Sequence, residues 1–514
     1  MPFEDRVTGW NRLDMSNSSA EDQPTYGVER HSIDYVSSAE RHGHVRDQGP
    51  FWFTINFQFM SVSLGFVGPA MGLSLGWTTL AAALGILVGT IFMAFHATQG
   101  PIMGLPQMVQ SRAQFGYRGV ILPLSATLVN FIGFNVVCAL LIMGGLHDLF
   151  GWDRSAVLIG LGILSALLAF YGYDWMHRVV KLLFWTSMPL FTILSVAIAV
   201  GLVPHGPIRQ LHFNGVAFGV EFATCASYNL QLAVYVSDYS RYLKRDTPAA
   251  QIVGYVFIGA ISSAIWLIAL GAWLTTRLGL ADPMTAVNQA GNALFPRFGT
   301  IIAIDSVLLM FAMIAMTSYS GMLTLATLLD SLRPVTPTMT IRAILIGLIT
   351  LVWVGATLAA GENAINALML LLTVLLYLLV PWTAVNLVDY FFVRHGHYAI
   401  KDLFRADGIY GSWGWRGLLA YVLGWIVIAP FASLSGIYVG PFAKKMHGID
   451  IAWLVSLATA GLVYYLASLS FSAESEQAAI AASEFELEGS LRTSSQAITL
   501  EESPRLEPQS VAIR

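Results

Sequence analysis

Chemistry in this chain falls to the few polar side chains set inside long apolar stretches. The stretch from Phe51 to Trp77, FWFTINFQFMSVSLGFVGPAMGLSLGW, carries Asn56, Gln58, Ser61 and Ser63, then Gly65, Gly68 and Pro69. A second stretch, GVEFATCASYNLQLAVYVSDYSRYL, holds Glu221, Tyr228, Asn229 and Gln231 ahead of Asp238 and Arg241. A third has Asp305 and then AMTSYSGML, with Thr317, Ser318, Tyr319, Ser320 and Gly321. Phe134 lies between Gly133 and Asn135, one turn after Asn130. These residue types suit recognition more than bond making. A side-chain amide presents donors and an acceptor on one planar group, as the edge of a heterocycle does. An aromatic ring can stack on a flat ligand, and hydroxyl and carbonyl oxygens are the hard ligands an alkali cation needs. Each has a plainer use: Ser and Thr back-bond to their own helix, Gly68 and Gly72 form a small-xxx-small packing pair, and Asp238 with Arg241 at i and i+3 can make a local ion pair or gate contact.

Composition narrows the class. Of 514 residues 56% are hydrophobic and 11% charged, against about 25% charged in a soluble domain, so the chain reads as an all-α, polytopic membrane protein. Two cysteines, Cys138 and Cys225, both inside apolar segments, provide no disulfide framework and no zinc site. The net charge of −4 implies no nucleic-acid partner. There is no Walker loop, no H-E-x-x-H and no G-x-S-x-G, so neither ATP-driven pumping nor an enzyme is expected.

The elements that must position the polar groups are membrane spans of about 17 to 25 residues. Twelve apolar segments are expected, at 51–76, 78–98, 119–147, 155–173, 178–203, 213–237, 250–276, 299–327, 341–360, 364–388, 416–437 and 450–471. With both termini cytoplasmic, the inner loops hold thirteen Lys and Arg between Arg112 and Arg416, and the outer loops six: Arg154, Arg209, Arg277, Arg297, Lys444 and Lys445. That asymmetry favours this orientation. The resulting division is a polar cytoplasmic tail over 1–48, a ten-helix core over 49–390, a cytoplasmic loop with spans 11 and 12 over 391–471, and an acidic disordered tail over 472–514, in which Glu474 to Leu487 could form a surface helix.

Local sequence also suggests where spans are interrupted. Pro69 with Gly65 and Gly68 should weaken span 1 near mid-bilayer, which is tolerated only where protein or a cavity surrounds the backbone. Span 6 has no Gly or Pro between Glu221 and Asp238, and on a regular helix Asn229 and Gln231 point about 200° apart; both face one cavity only if the helix breaks. Arg112 and Arg118 in RAQFGYRG read as interface anchors, and Pro381, Asp389 and Arg394 in PWTAVNLVDYFFVRHGHY as a bend or stop and boundary charges. Asp305 could be a proton-coupling carboxylate or a headgroup-level residue.

Taken together, RAQFGYRG before span 3, SDYSRYL after span 6, SYSG in span 8 and PWTAVNLVDYFFVRHGHY after span 10 resemble the nucleobase/cation symporter family, the cytosine/purine, uracil, allantoin, hydantoin and thiamine permeases. The similarity covers about residues 40 to 430. It implies a LeuT-like architecture of 12 transmembrane helices, with inverted repeats over 51–203 and 213–388 plus two extra helices, and broken first and sixth helices around a midplane site. It further implies import of a small planar heterocycle by alternating access with Na+ or H+ as the coupling ion and no other cofactor, in a cell membrane, with lipid as surroundings and a monomer sufficient. Carried over by position, substrate would meet Gln58, Phe59, Met60, Phe134, Asn229 and Gln231; a sodium ion would use Ile55, Gln58, Ala315, Thr317 and Ser318. Allantoin, hydantoin, thiamine or an amino acid is the alternative cargo, and a passive channel the alternative class.

Overall fold

The computed structural model describes residues 31–205, 211–335, 338–360, 364–434, 437–471 and 474–489. Residues 1–30 of the expected N-terminal tail, residues 472, 473 and 490–514 of the acidic tail, and Arg209 lie outside the described residues.

The chain is a helical bundle. Span 1 is α1 (Gln48–Asn56), α2 (Phe59–Leu64) and α3 (Val67–Ala70). Then come α4 (Leu75–Ala97), α5 (Ile121–Phe150), α6 (Arg154–Tyr171) and α7 (Tyr173–Ala199). Span 6 is α8 (Gly215–Leu230) and α9 (Val236–Ser240), and α10 (Ala249–Leu278), α11 (Phe298–Leu332), α12 (Met339–Ala359) and α13 (Ala364–Val388) follow. The last are α14 (Trp415–Ile426), α15 (Ala452–Ala467) and α16 (Glu474–Glu484). Among the described residues, eight helices are long and apolar enough to cross a membrane, nine when the bent halves of span 1 are joined. The other three expected spans fall on the shorter α8 with α9, α14 and α15. Outer helices keep apolar side chains exposed, as α6 does with Ile159, Ile163, Leu164 and Leu167, which suits lipid and not water.

Span 1 is broken, but not where its glycines stand. Its halves bend by 53°, and the break is at Phe57 and Gln58, with Gln58 extended at φ −136° and ψ 164°. Two side chains take over the carbonyls that a continuous helix would have satisfied: Gln58 Nε2 donates to Ile55 O at 2.9 Å and Ser61 Oγ to Asn56 O at 2.6 Å. That substitution lets irregular backbone persist in an apolar environment. The expectation that Gly65 and Gly68 make the bend is therefore corrected. A Cβ on Gly65 would collide with the Ile268 carbonyl, and one on Gly271 with the Val62 carbonyl, so Gly65 and Gly271 bring α2 and α10 into backbone contact.

Span 6 breaks without glycine or proline. α8 tightens at Gln231–Val234 into a 3-10 turn, Tyr235 takes φ −141° and ψ 7°, and α9 resumes. Asn130 Nδ2 of α5 donates to the Gln231 carbonyl at 3.4 Å, supplying from a neighbouring helix a bond the turn forgoes. Pro381 neither stops nor ends its helix; it lies inside α13, which continues to Val388.

Both described terminal segments dock on one end of the bundle, the tail side. Gly104 O accepts from Val36 N at 2.9 Å, Tyr242 O from Gly43 N at 2.9 Å, and Ser32 O from Arg241 Nη1 at 2.7 Å. α16, expected within a disordered tail, is held by Glu476 against Arg394 at 3.0 Å and by Glu484 against Arg245 at 2.5 Å.

Candidate functional site

Where α1 meets α2 and α8 meets its 3-10 turn, polar side chains from three spans converge in a fully buried cluster. Tyr228 is its hub. Its hydroxyl lies 3.0 Å from Gln58 Nε2 and 3.0 Å from Ser61 Oγ, and its ring centroid is 6.2 Å from that of Phe134 with planes tilted by 33°. A second aromatic pair, Phe131 and Tyr235, sits one turn along α5 with centroids 5.4 Å apart. Gln58 is 1% exposed, and Tyr228, Phe134 and Gln231 are not exposed at all.

What distinguishes this cluster from ordinary packing is its unspent hydrogen-bonding capacity. Both side-chain atoms of Asn56, the Gln58 Oε1, the Asn130 Oδ1, both amide atoms of Gln231 and the Tyr235 hydroxyl lack a well-formed protein partner, although Gln231 and Tyr235 face each other. Leaving a buried polar group unmet costs about 1–3 kcal/mol each, and most buried polar groups in folded proteins are paired. Seven such atoms lie at two helix breaks beside aromatic rings, a lining whose chemistry matches a polar, flat solute.

The expected site residues divide. Gln58, Phe134 and Gln231 are brought together; Phe59 and Met60 are buried beside Gln58 at the start of α2. Asn229 is turned away, its Nδ2 donating to Thr90 Oγ1 of α4 at 2.6 Å, because it precedes the break and keeps the helical direction. Tyr228, Asn130 and Asn56 were in the polar stretches but their role is legible only in three dimensions. The proposed cation ligands form two groups. The Ile55 carbonyl is taken by Gln58. Thr317 and Ser318 pair with Asn135 of α5, Asn135 Nδ2 donating to Ser318 Oγ at 3.1 Å and Thr317 Oγ1 bonding Asn135 Oδ1, while Thr317 also back-bonds to Met313 O at 2.9 Å. Ala315 is buried beside them. Among the described residues no three His, Cys, Asp or Glu are placed to hold a metal ion.

The charged flanks are largely buried among other parts of the protein. Arg112 is unexposed and pairs at 3.0 Å with an equally buried Asp330, while also donating to Ser331 Oγ at 2.9 Å and Thr327 O at 3.1 Å. It ties the start of span 3 to the end of α11, where an interface anchor was expected; Arg118 alone of the pair is exposed. Asp389 is likewise buried and accepts from Gln114 Nε2 at 2.6 Å, Tyr398 OH at 2.8 Å and Tyr464 OH at 2.8 Å, besides pairing with Arg394. Asp238 Oδ1 accepts from Gln107 N at 2.9 Å, and Arg241 reaches Tyr319 OH at 3.1 Å, both on the tail side. Asp305 accepts from Thr186 Oγ1 at 3.0 Å between α7 and α11.

Broken-helix spans around an occluded polar cluster define the class of multi-pass membrane carriers. The chain belongs to the permease family for cytosine/purines, uracil, thiamine and allantoin, whose model matches residues 35–456. It is 37% identical over 442 residues, 85% of this chain and 95% of its relative, to YxlA of Bacillus subtilis, a protein whose name assigns it provisionally to the purine-cytosine permeases. It is 27% identical over 272 residues to the purine-cytosine permease FCY2 of Saccharomyces cerevisiae, 46% of this chain and 44% of that one. Its fold matches Mhp1, a nucleobase-cation-symport-1 family transporter, closed with bromovinylhydantoin bound: the TM-score is 0.68 at 18% identity, covering 87% of this chain and 98% of Mhp1. The inward-facing form of Mhp1 matches with a TM-score of 0.64 at 19% identity, over 90% of this chain and 98% of Mhp1. The protein is therefore a membrane permease of the nucleobase/cation symporter family with the Mhp1 fold.

Proposed function

We propose that this permease imports a purine or cytosine-type base by cation symport, binding it between Phe134 and the amides of Gln58 and Gln231. The observation that carries this reading is the unpaired amide and hydroxyl atoms of Asn56, Gln58, Asn130, Gln231 and Tyr235 beside two aromatic pairs. A base has a π face for the rings and a donor–acceptor edge for the amides, and a few such contacts suit a solute that must also be released. Family membership and the purine-cytosine assignments of YxlA and FCY2 support the substrate class. Phe59 and Met60 would shape the apolar wall. Na+, if it is the coupling ion, would draw on Ile55, Gln58, Ala315, Thr317 and Ser318.

On this reading the two broken helices head equivalent halves, 51–203 and 213–388, within a core of 49–390, the full count is twelve spans, and residues 391–471 supply an inner loop and the last two of them. The tail side is cytoplasmic, in accord with the excess of Lys and Arg in its loops, and the solute enters from the opposite side of a cell membrane.

The test is uptake of labelled cytosine, adenine, uracil and allantoin into vesicles containing the purified protein. Accumulation of cytosine or adenine under an imposed ion gradient is expected. Uptake of none of these would overturn the reading, and equilibration without accumulation would make the protein a passive channel.

A further inference from the structure

The cluster around Tyr228 leaves one buried acid unused. Glu221 lies on α8, seven residues before Tyr228, and is not exposed. Its Oε2 accepts from the Gly68 amide of α3 at 2.8 Å, and its Oε1 is 3.5 Å from Cys225 Sγ. A Cβ built on Gly68 would lie 3.3 Å from that Oε2 and 2.7 Å from Thr78 Oγ1, so the carboxyl is wedged where α3, α4 and α8 meet, away from the tail side.

Among the described residues no countercharge faces it. α2, α3 and the 3-10 turn after α8 contain no charged residue. α4 brings His96, at its far end and stacked on Trp382 with centroids 4.8 Å apart. α13 brings Tyr377, bonded to Asp450. On α8 itself the titratable groups are Cys225 and Tyr228, and in the nearby loops His212, Lys444, Lys445 and His447 are exposed. A carboxylate in such a place must be paired, hydrated or neutral. Here it is fully buried with no cation beside it among the described residues, so the closed molecule accommodates it as the acid. When α2 and α3 stand away from α8 to admit solute, the Gly68 amide is gone and water reaches the carboxyl, which can then stand as the carboxylate until closure. Glu221, Cys225 and Tyr228 fall at i, i+4 and i+7, on one stripe of the helix, and Tyr228 holds Gln58 and Ser61 of the site. Closure around solute and burial of the acid are thus movements of the same two helix halves.

We propose that Glu221 is a proton-binding site filled each time the outer halves of spans 1 and 6 close, so that this permease carries a proton with its solute. The proposal rests on the solute-carrier reading above and assigns the coupling ion within it. One proton binds a Glu221 oxygen from the outer water as that water is expelled, and no other group need change charge. It leaves on the inner side along the Cys225–Tyr228 stripe.

The test compares the full-length protein with Glu221→Gln and Glu221→Asp in sodium-free vesicles carrying a pH-sensitive dye, with an alkaline interior and labelled cytosine or adenine. The wild type should accumulate base and acidify the interior. Glu221→Gln, a permanent mimic of the acid that still accepts from Gly68, should bind and exchange base within about twofold of wild type while losing both accumulation and acidification. Glu221→Asp should retain partial coupling. Accumulation by Glu221→Gln equal to wild type, or wild-type accumulation that requires sodium at equal pH, overturns the proposal. If no base binds the wild type, the substrate reading falls separately, and the thermal midpoint decides the proton site. The closed form binds the extra proton, so wild-type stability should fall relative to Glu221→Gln as pH rises. A difference that does not change with pH overturns it.

Discussion

At the scale of single residues, two kinds of buried polar group do different work. Those with spare valence, Gln58 and Gln231, sit at helix breaks, whereas Arg112 and Asp389, each bonded to several partners, lock helices together. Replacing Phe134 with Ala removes a stacking face worth about 1–3 kcal/mol per base, so base affinity should fall roughly 5- to 150-fold with the fold intact. Equilibrium binding with a thermal-melt control measures this, and unchanged affinity would move the base elsewhere. Replacing Arg112 with Met leaves Asp330 buried without its guanidinium and should cost about 3–5 kcal/mol. Pairing it with Asp330→Asn should recover part of that loss, read as coupling in a double-mutant cycle of thermal midpoints. A flexible interface anchor would show neither effect.

At the scale of elements, the break in span 1 and the glycines near it have separate causes. Gln58 and Ser61 cap the carbonyls the break exposes, and Gly65 with Gly271 lets α2 and α10 touch. Gly65→Ala should therefore overpack that contact and lower stability by about 1–3 kcal/mol. Gly144 lies within α5 with open space where a Cβ would go, and Gly144→Ala should stabilise by up to about 1 kcal/mol through helix propensity. Thermal midpoints of the two variants give opposite signs if glycines act here by packing; equal losses would count against that assignment. The break was expected in span 1 because Pro69, Gly65 and Gly68 should weaken that helix beside its polar side chains, but its position was set by which side chains could reach the freed carbonyls. In span 6 there was no proline or glycine to mark it, since Asn130 supports that turn from another helix.

At the scale of the whole molecule, the described state is closed on the tail side. The segment at Ser32–Gly43 and α16 lie across the ends of the spans, and Glu476 pairs with Arg394, where both side chains are about a tenth exposed or less. Glu476→Gln should remove a charged, nearly buried partner and cost about 1–3 kcal/mol, with a lower thermal midpoint as the readout; no change would leave α16 a passive tail. Saturating base should raise the midpoint of the whole protein, by about 2.7 kcal/mol of stabilisation at a hundredfold excess over its Kd. The same base should stabilise Gly65→Ala by the same free energy, because that packing lies outside the site.

The amino-acid sequence by itself determined that this is a polytopic helical membrane protein, that its chemistry is recognition, and, through four short motifs, to which family it belongs. Those are properties of composition and local pattern: apolar runs long enough for a bilayer, polar groups too costly to be there without purpose, and residues at fixed spacing. It also put forward Gln58, Phe134 and Gln231, which form part of the proposed site. Tertiary structure alone decided that Tyr228 joins them, that Asn229 turns to Thr90, that Arg112 is a buried tie, that Glu221 is wedged against Gly68, and that the acidic C-terminal segment docks as α16. Each depends on a partner far away in the chain. A hydrogen bond between residues 170 positions apart, such as that of Gln58 with Tyr228, leaves no periodicity in either segment, because it is set by how helices pack and not by what either helix prefers alone.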